Sequence, residues 1–145
     1  MARPTQVDPR SMRVAAAITT VVLALVLVTP SPVSIALLIA QTAVFAIAAL
    51  VSLKASPYAI VYARLVRPRI GPPAELEDAR PPRFAQAVGL GFAVLALLGI
   101  ALGAPDLGFV AVAFALVAAL LNASIGLCLG CELYLVLNRL RLVRA

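Results

Sequence analysis

Apolar residues fall in four long runs, each closed by proline, glycine or charge. The run Val14–Thr29 ends at Pro30-Ser31-Pro32, and Val33–Leu53 begins at once, which reads as a tight hairpin rather than a cleaved leader. Phe84–Ala104 is the third run, and Pro105-Asp106 turns the chain into a fourth that lasts to about Leu137. A helix needs about 20 residues, rising 1.5 Å each, to cross a hydrocarbon core of roughly 30 Å. Val33–Leu53 meets that length, and the first run meets it if helix begins near Ser11, an acceptable N-cap. The expected spans are therefore about 12–29, 33–53, 84–104 and 108–137, the last crossing and then emerging. Between the pairs lies a polar connection, 54–83. Ser56-Pro57 is a helix start, and Tyr58 to Arg67 mixes aliphatic and basic residues as a short helix at headgroup level does. Pro68, Pro72 and Pro73 are expected to stop it. Glu75, Glu77 and Asp78, followed by Arg80 and Arg83, read as a solvated loop with local charge pairing. The expected fold is an all-α integral membrane bundle in a single domain, 1–145, with four transmembrane helices as two hairpins and an interfacial helix between them.

Composition agrees. Hydrophobic residues make up 63% of the chain and charged residues 12%, against about 45–50% and 25% in soluble domains. The net charge of +6 does not point to nucleic acid, because the basic residues flank the apolar runs. All 12 Lys and Arg fall at 3 to 13, 54 to 83 and 139 to 144, on one side of a four-span arrangement. The positive-inside rule makes that side cytoplasmic, with both termini inside and the inner (cytoplasmic) membrane as the location. With two cysteines and no histidine, one chain cannot assemble a four-ligand Cys/His zinc site. No metal and no cofactor is expected, there being neither a phosphate-binding glycine loop nor a histidine-based catalytic set.

The halves echo one another. Asp8, Arg10, Arg13, Ala15 and Ala17 correspond to Asp78, Arg80, Arg83, Ala85 and Ala87 at an offset of 70. Tyr58 with Arg64-Leu65-Val66-Arg67 is matched loosely by Tyr134 with Arg141-Leu142-Val143-Arg144. Two hairpins entering from the same side form a parallel repeat about an axis along the membrane normal. Val7-Asp8-Pro9-Arg10, Ser56-Pro57-Tyr58, Arg67-Pro68, Leu76-Glu77-Asp78, Pro82-Arg83-Phe84-Ala85-Gln86 and Cys128-Leu129-Gly130-Cys131-Glu132 together resemble the uncharacterised family catalogued as domain of unknown function 4395. The resemblance covers nearly the whole chain. It implies a bacterial, membrane-embedded protein and brings no agreed activity.

Chemistry concentrates in Gly126 to Tyr134. Cys128 and Cys131 are a C-x-x-C pair, moderately specific outside a thioredoxin-like context. On a continuous helix Ser124, Cys128, Cys131 and Glu132 share a stripe, and Gly126-x-x-x-Gly130 is a close-packing spacing. A carboxylate in a span is costly unless partnered, so Glu132 is expected to pair with Arg13 or Arg83, which lie at similar depth. Two functional readings follow. In one, Cys128 and Cys131, tuned by Glu132, form the candidate catalytic set of a cytoplasm-facing thiol redox or sulfur-relay component. Its partner is then a soluble cytoplasmic redox or sulfur-transfer protein. In the other the cysteines are packing residues of a non-catalytic scaffold or complex subunit, and the small-residue stripes accommodate a homo-oligomer. Helix continuity decides between them. In an unbroken helix the sulfurs sit near the negative C-terminal end, whereas a break at Gly126 or Gly130 puts them at an activating helix start.

Overall fold

Asp8, not Ser11, starts the first long helix. In the computed structural model, which describes residues 6–140, the Asp8 carboxylate accepts the Arg10 backbone N–H at 2.9 Å. Proline follows at the first helical position, where its missing N–H is harmless, and Ser11 is buried inside the helix. Arg3 and Arg141 to Arg144, which carry part of the basic pattern and of the repeat, lie outside the described residues.

The elements run β1 (Gln6–Val7), α1 (Pro9–Val28), α2 (Val33–Ala46), α3 (Pro57–Val61), α4 (Arg67–Ile70), β2 (Glu77–Asp78), α5 (Arg80–Ala101), α6 (Pro105–Ile125) and α7 (Leu129–Arg139). A π-helical turn, Ile47–Val51, prolongs α2, and another, Tyr62–Val66, joins α3 to α4. Four helices are long and apolar enough to cross a membrane: α1, α2 with its π turn, α5 and α6, of 20, 19, 22 and 21 residues. The protein is all-helical in its bulk and multi-pass in character.

These four close a square. α1 lies against α2 and α6, and α5 lies against the same two. Leu23, Val26, Leu38, Phe45, Ala93, Ala96 and Val112 fill the centre. The outward face is as apolar as the inside: Val28 is 75% exposed and Leu102 81%. Water would penalise such a surface by roughly 25 cal/mol per Å², and lipid would not. α5 and α6 approach closely near their turn, where a Cβ on Gly108 would stand 2.6 Å from the Ala96 carbonyl oxygen. The one fully enclosed side-chain amide among the described residues, Gln41, is satisfied: its carbonyl accepts from the Tyr58 hydroxyl at 2.6 Å and its NH₂ donates to Thr19 at 3.5 Å. An unpaired amide there would cost kilocalories.

At the basic end the sequence expectations need two corrections. The helix after Ser56-Pro57 does not stop at Pro68 but runs on to Ile70 and ends at Gly71, whose φ is +75°. The π turn directly before it removes the regular i→i−4 ladder that a proline would break. Nor is the acidic stretch only a solvated loop, because Glu77–Asp78 pairs with Gln6–Val7 in an antiparallel bridge, Gln6 opposite Asp78 and Val7 opposite Glu77.

Asp8 then ties three segments together. It accepts from the Arg10 guanidinium at 3.0 Å and from the Tyr62 hydroxyl, while Arg10 donates onward to the Gly71 carbonyl at 2.9 Å. Burial pushes the Asp8 carboxyl up, but the bonds from Arg10 and Tyr62 outweigh it and hold the group below its usual value. A carboxyl with a depressed folded-state value stabilises the fold above its unfolded value and loses that contribution as pH falls through the folded one. Thermal stability in detergent is therefore expected to fall below about pH 4, and Asp8→Asn to be less stable at neutral pH with a flatter acid limb. Identical acid limbs in both proteins would refute this role for Asp8.

Candidate functional site

The fourth apolar run is not one helix. α6 ends where Gly126 turns left-handed, with φ +73°, a conformation that costs residues bearing a Cβ about 1–2 kcal/mol. The Gly126 N–H bonds back to the Asn122 carbonyl at 3.1 Å, closing the helix with a glycine C-cap. Cys128 is extended, with φ −89° and ψ 101°, and the chain re-enters helix at Leu129. The span drawn as 108–137 is thus two elements, 105–125 and 129–139. Ser124 consequently leaves the stripe that a continuous helix would share with the cysteines.

Cys128 is the N-cap of α7. Its Sγ accepts the Cys131 backbone N–H at 3.2 Å, and the two cysteines are joined as a disulfide with Cα atoms 5.1 Å apart. A helix start directs unpaired N–H groups and the positive end of the helix dipole at whatever stands there. α7 is held against α5 by close backbone contact: a Cβ on Gly130 would stand 2.5 Å from the Cβ of Ala85. Tyr134 is buried one turn further on, its ring 5.6 Å from that of Phe84.

The arginines do not pair with Glu132. Arg13 donates to the carbonyls of Ala123 and Ser124 at 3.2 and 3.1 Å, in the last turn of α6. Arg83 donates to those of Ala49 and Leu50 at 2.7 and 3.3 Å, at the end of α2. The last carbonyls of a helix have no internal partner and carry the negative end of its dipole, so a guanidinium is well placed on them. Among the described residues the ion pairs are Arg10–Asp8 and Arg80–Asp78. Glu132 is exposed in the first turn of α7, where a carboxylate complements the helix dipole without a cation.

Two cavities meet at Cys128. One, of about 220 Å³, lies at the basic end and is bounded by Arg13, Glu77, Gln86, Asn122 and both cysteines. The other, of about 300 Å³, extends among the spanning helices and shares Gln86, Asn122 and Cys128 with the first. Cys131 borders only the polar one. Gln86 on α5 and Asn122 on α6 meet at the sulfurs through the packing of α5 on α6 and α7. The sign of a cap at Gly126 was present in the sequence, glycine two residues ahead of the first cysteine. No group of His, Cys, Asp and Glu suited to a metal ion occurs among the described residues.

A family model described as a domain of unknown function (DUF4395) matches residues 7–139. The chain belongs to that family. No curated protein and no solved structure matches it at a significant level. For this DUF4395 member the two glycines of the C-x-x-C stretch make separable predictions. Gly126→Ala should cost about 1–2 kcal/mol through left-handed strain. Gly130→Ala should cost about 1–3 kcal/mol by pushing α7 off Ala85, and should raise the accessibility of both sulfurs in the reduced protein. Glu132→Gln should lower stability by less than about 1 kcal/mol. Thermal unfolding in detergent reads all three, and a Glu132→Gln loss larger than that of Gly130→Ala would contradict the assignment.

Proposed function

We propose that this protein is a thiol–disulfide exchange component of the bacterial inner membrane, in which Cys128 and Cys131 cycle between dithiol and disulfide. One observation carries the proposal: the fourth apolar run breaks at Gly126, so that Cys128 caps a new helix and receives the Cys131 N–H. Attack by a thiolate of a soluble cytoplasmic dithiol protein on the Cys131 sulfur forms a mixed disulfide and breaks the Cys128–Cys131 bond. Cys128 leaves as the thiolate that the helix start stabilises, and the better-stabilised thiolate is the better leaving group. The partner's second thiol then displaces Cys131, leaving a dithiol here and a disulfide on the partner. Arg13, at the wall of the same cavity, adds positive charge near the sulfurs, and Glu132 opposes it, so the two set the reactivity between them.

Orientation and repeat belong to this proposal. Lysine and arginine at the described membrane ends lie on the side of the Cys128–Cys131 pair, which supports a cytoplasmic site. A disulfide in that compartment is ordinarily transient and catalytic. Duplication of a helical hairpin is supported by matched side-chain bonds at the starts of α1 and α5, Asp8 on the Arg10 N–H and Asp78 on the Arg80 N–H, both at 2.9 Å. It is supported again by the crossed roles of Arg13 and Arg83, each closing the far helix of the other hairpin. The β bridge centres on Val7 opposite Glu77, themselves 70 apart, as a two-fold axis along the membrane normal requires. Aligned instead on the helix starts, two residues further on at an offset of 72, Cys128 stands where Ser56 stands, each just ahead of a helix, and buried Tyr134 matches buried Tyr62 rather than Tyr58. α3 and α4 are then the headgroup-level helix of the first half, and α7 its counterpart.

Alkylation tests the proposal. In reduced Cys131→Ala protein, Cys128 is expected to react with a thiol reagent well below pH 8.5, where an ordinary cysteine half-ionises. Cys128→Ala, mixed with the partner in its disulfide form, should accumulate a mixed disulfide through Cys131, whose thiolate opens the partner's S–S bond and which no Cys128 is there to release. Inertness of Cys128 up to high pH, or full function of the Cys128→Ala/Cys131→Ala variant in cells, would leave only the scaffold role.

A further inference from the structure

The second cavity has the form of a site for a flat, lipid-soluble ring. It lies among the spanning helices, with Phe45, Phe92 and Phe114 on its walls. The rings of Phe92 and Phe114 are 6.4 Å apart. Its volume of about 300 Å³ is at the small end for ligand sites, enough for one ring system. Gly89 leaves room for the Phe45 ring, which a Cβ there would meet at 2.8 Å. Phe114, Leu129 and Leu133, which also border the cavity, are 63%, 43% and 45% exposed on the surface that faces lipid. The cavity therefore opens sideways into the bilayer. At its other end stand Gln86, Asn122 and Cys128. No buried side-chain polar atom lacks a partner among the described residues, so amide groups of Gln86 and Asn122 without protein partners are open to the space they border.

We infer that this cavity binds the head ring of a membrane quinone, which takes electrons from the Cys128–Cys131 dithiol. The inference rests on the thiol-exchange reading above. Exchange with a soluble dithiol leaves Cys128 and Cys131 reduced, and turnover then needs a two-electron acceptor. A quinone meets the site's three features together: an apolar ring for the phenylalanines, carbonyl oxygens for the amide N–H groups of Gln86 and Asn122, and an isoprenoid tail for the lateral opening. The step balances. The two thiols lose two electrons and two protons and form the S–S bond, and the two quinone carbonyl oxygens gain them and become the hydroxyls of the quinol. Cys128 borders both cavities and Cys131 only the polar one, so the sulfur that contacts the ring is Cys128 and the sulfur that contacts the soluble partner is Cys131.

Reduced full-length protein in detergent, mixed anaerobically with decylubiquinone, tests this by quinone absorbance and thiol titration. One quinone reduced per disulfide formed is expected, with no reaction in Cys128→Ala/Cys131→Ala. Ala118→Phe, which fills the cavity from the α6 wall, should slow quinone reduction by about tenfold or more. Its exchange with a soluble dithiol peptide should be retained, which also shows that it is folded. Gln86→Leu, a smaller change, should slow the same step. If the dithiol exchanges with peptide but reduces quinone no faster than the cysteine-free protein, the quinone site is overturned and the exchange reading stands. If quinone reduction is indifferent to Ala118→Phe, the cavity is an acyl-chain crevice and the inference fails. Failure of both reactions overturns the exchange reading and the quinone site with it.

Discussion

A helix that ends inside or beside a bilayer leaves carbonyls with no partner in the hydrocarbon, and every such group must be satisfied by the protein. That constraint organises the basic end of this molecule. α2 and α6 both finish there, and each is closed by an arginine from the opposite hairpin, Arg83 on Ala49 and Leu50, Arg13 on Ala123 and Ser124. The bonds are charge-assisted, and the cations stand at the negative ends of the helix dipoles, so each contributes more than a neutral hydrogen bond. They also lock the hairpins reciprocally. Movement of α1 away from α6 would expose two carbonyls, and movement of α5 away from α2 would expose two more. The Asp8 cluster and the β bridge sit directly outside this lock and fix the starts of the same two helices.

The break at Gly126 lies next to the lock. With Arg13 holding the last turn of α6, the chain is free to turn left-handed at the following glycine and restart as α7. Packing of Gly130 on Ala85 then sets the second helix against α5 at backbone contact, which brings Cys128 over the space between α5 and α6. A residue with a Cβ at position 126 or 130 would strain the turn or push the helix away. The sulfur geometry is therefore a product of two glycines and one arginine rather than of the cysteine spacing alone. A continuous helix with the same C-x-x-C would put both sulfurs at the wrong pole of the dipole.

The membrane architecture was legible because it rests on long-range averages. Twenty apolar residues cannot be mistaken for much else, and the clustering of arginine at one end needs no knowledge of contacts. The helix start at Ser56-Pro57, a capping residue beside proline, was legible, whereas the same pairing at Asp8-Pro9 starts α1 three residues before the Ser11 that the apolar run suggests. What escaped was pairing between distant residues. Arg13 and Arg83 read equally well as partners of a carboxylate or of carbonyls, and the choice depends on which helix ends lie within reach. Glu132 read as a buried charge seeking a cation only while the helix was drawn as unbroken. With the break in place it lies in the first turn of α7, where it needs none. The bridge between Gln6–Val7 and Glu77–Asp78 is two residues long and too short to have a pattern. Pro68 was read by a rule that assumes a regular α-helix, and the π turn before it removes that assumption.

Position explains why one dithiol would serve two phases. A sulfur within the bilayer is out of reach of a soluble protein, and one in water is out of reach of anything dissolved in lipid. In the proposed exchange the pair would stand between these limits, since Cys131 borders the polar cavity and Cys128 borders both. An S–S bond spans that boundary with no further carrier, because making or breaking it changes both sulfurs at once. Cys128, the sulfur at the helix start, is also the one that borders the cavity among the spanning helices. The corresponding turn in the first hairpin has Ser56 ahead of α3, and serine provides a cap but no electrons. If the two hairpins descend from one, then the same backbone turn serves in one half only to start a helix. In the other, a change from oxygen to sulfur gives that turn the capacity for two-electron chemistry.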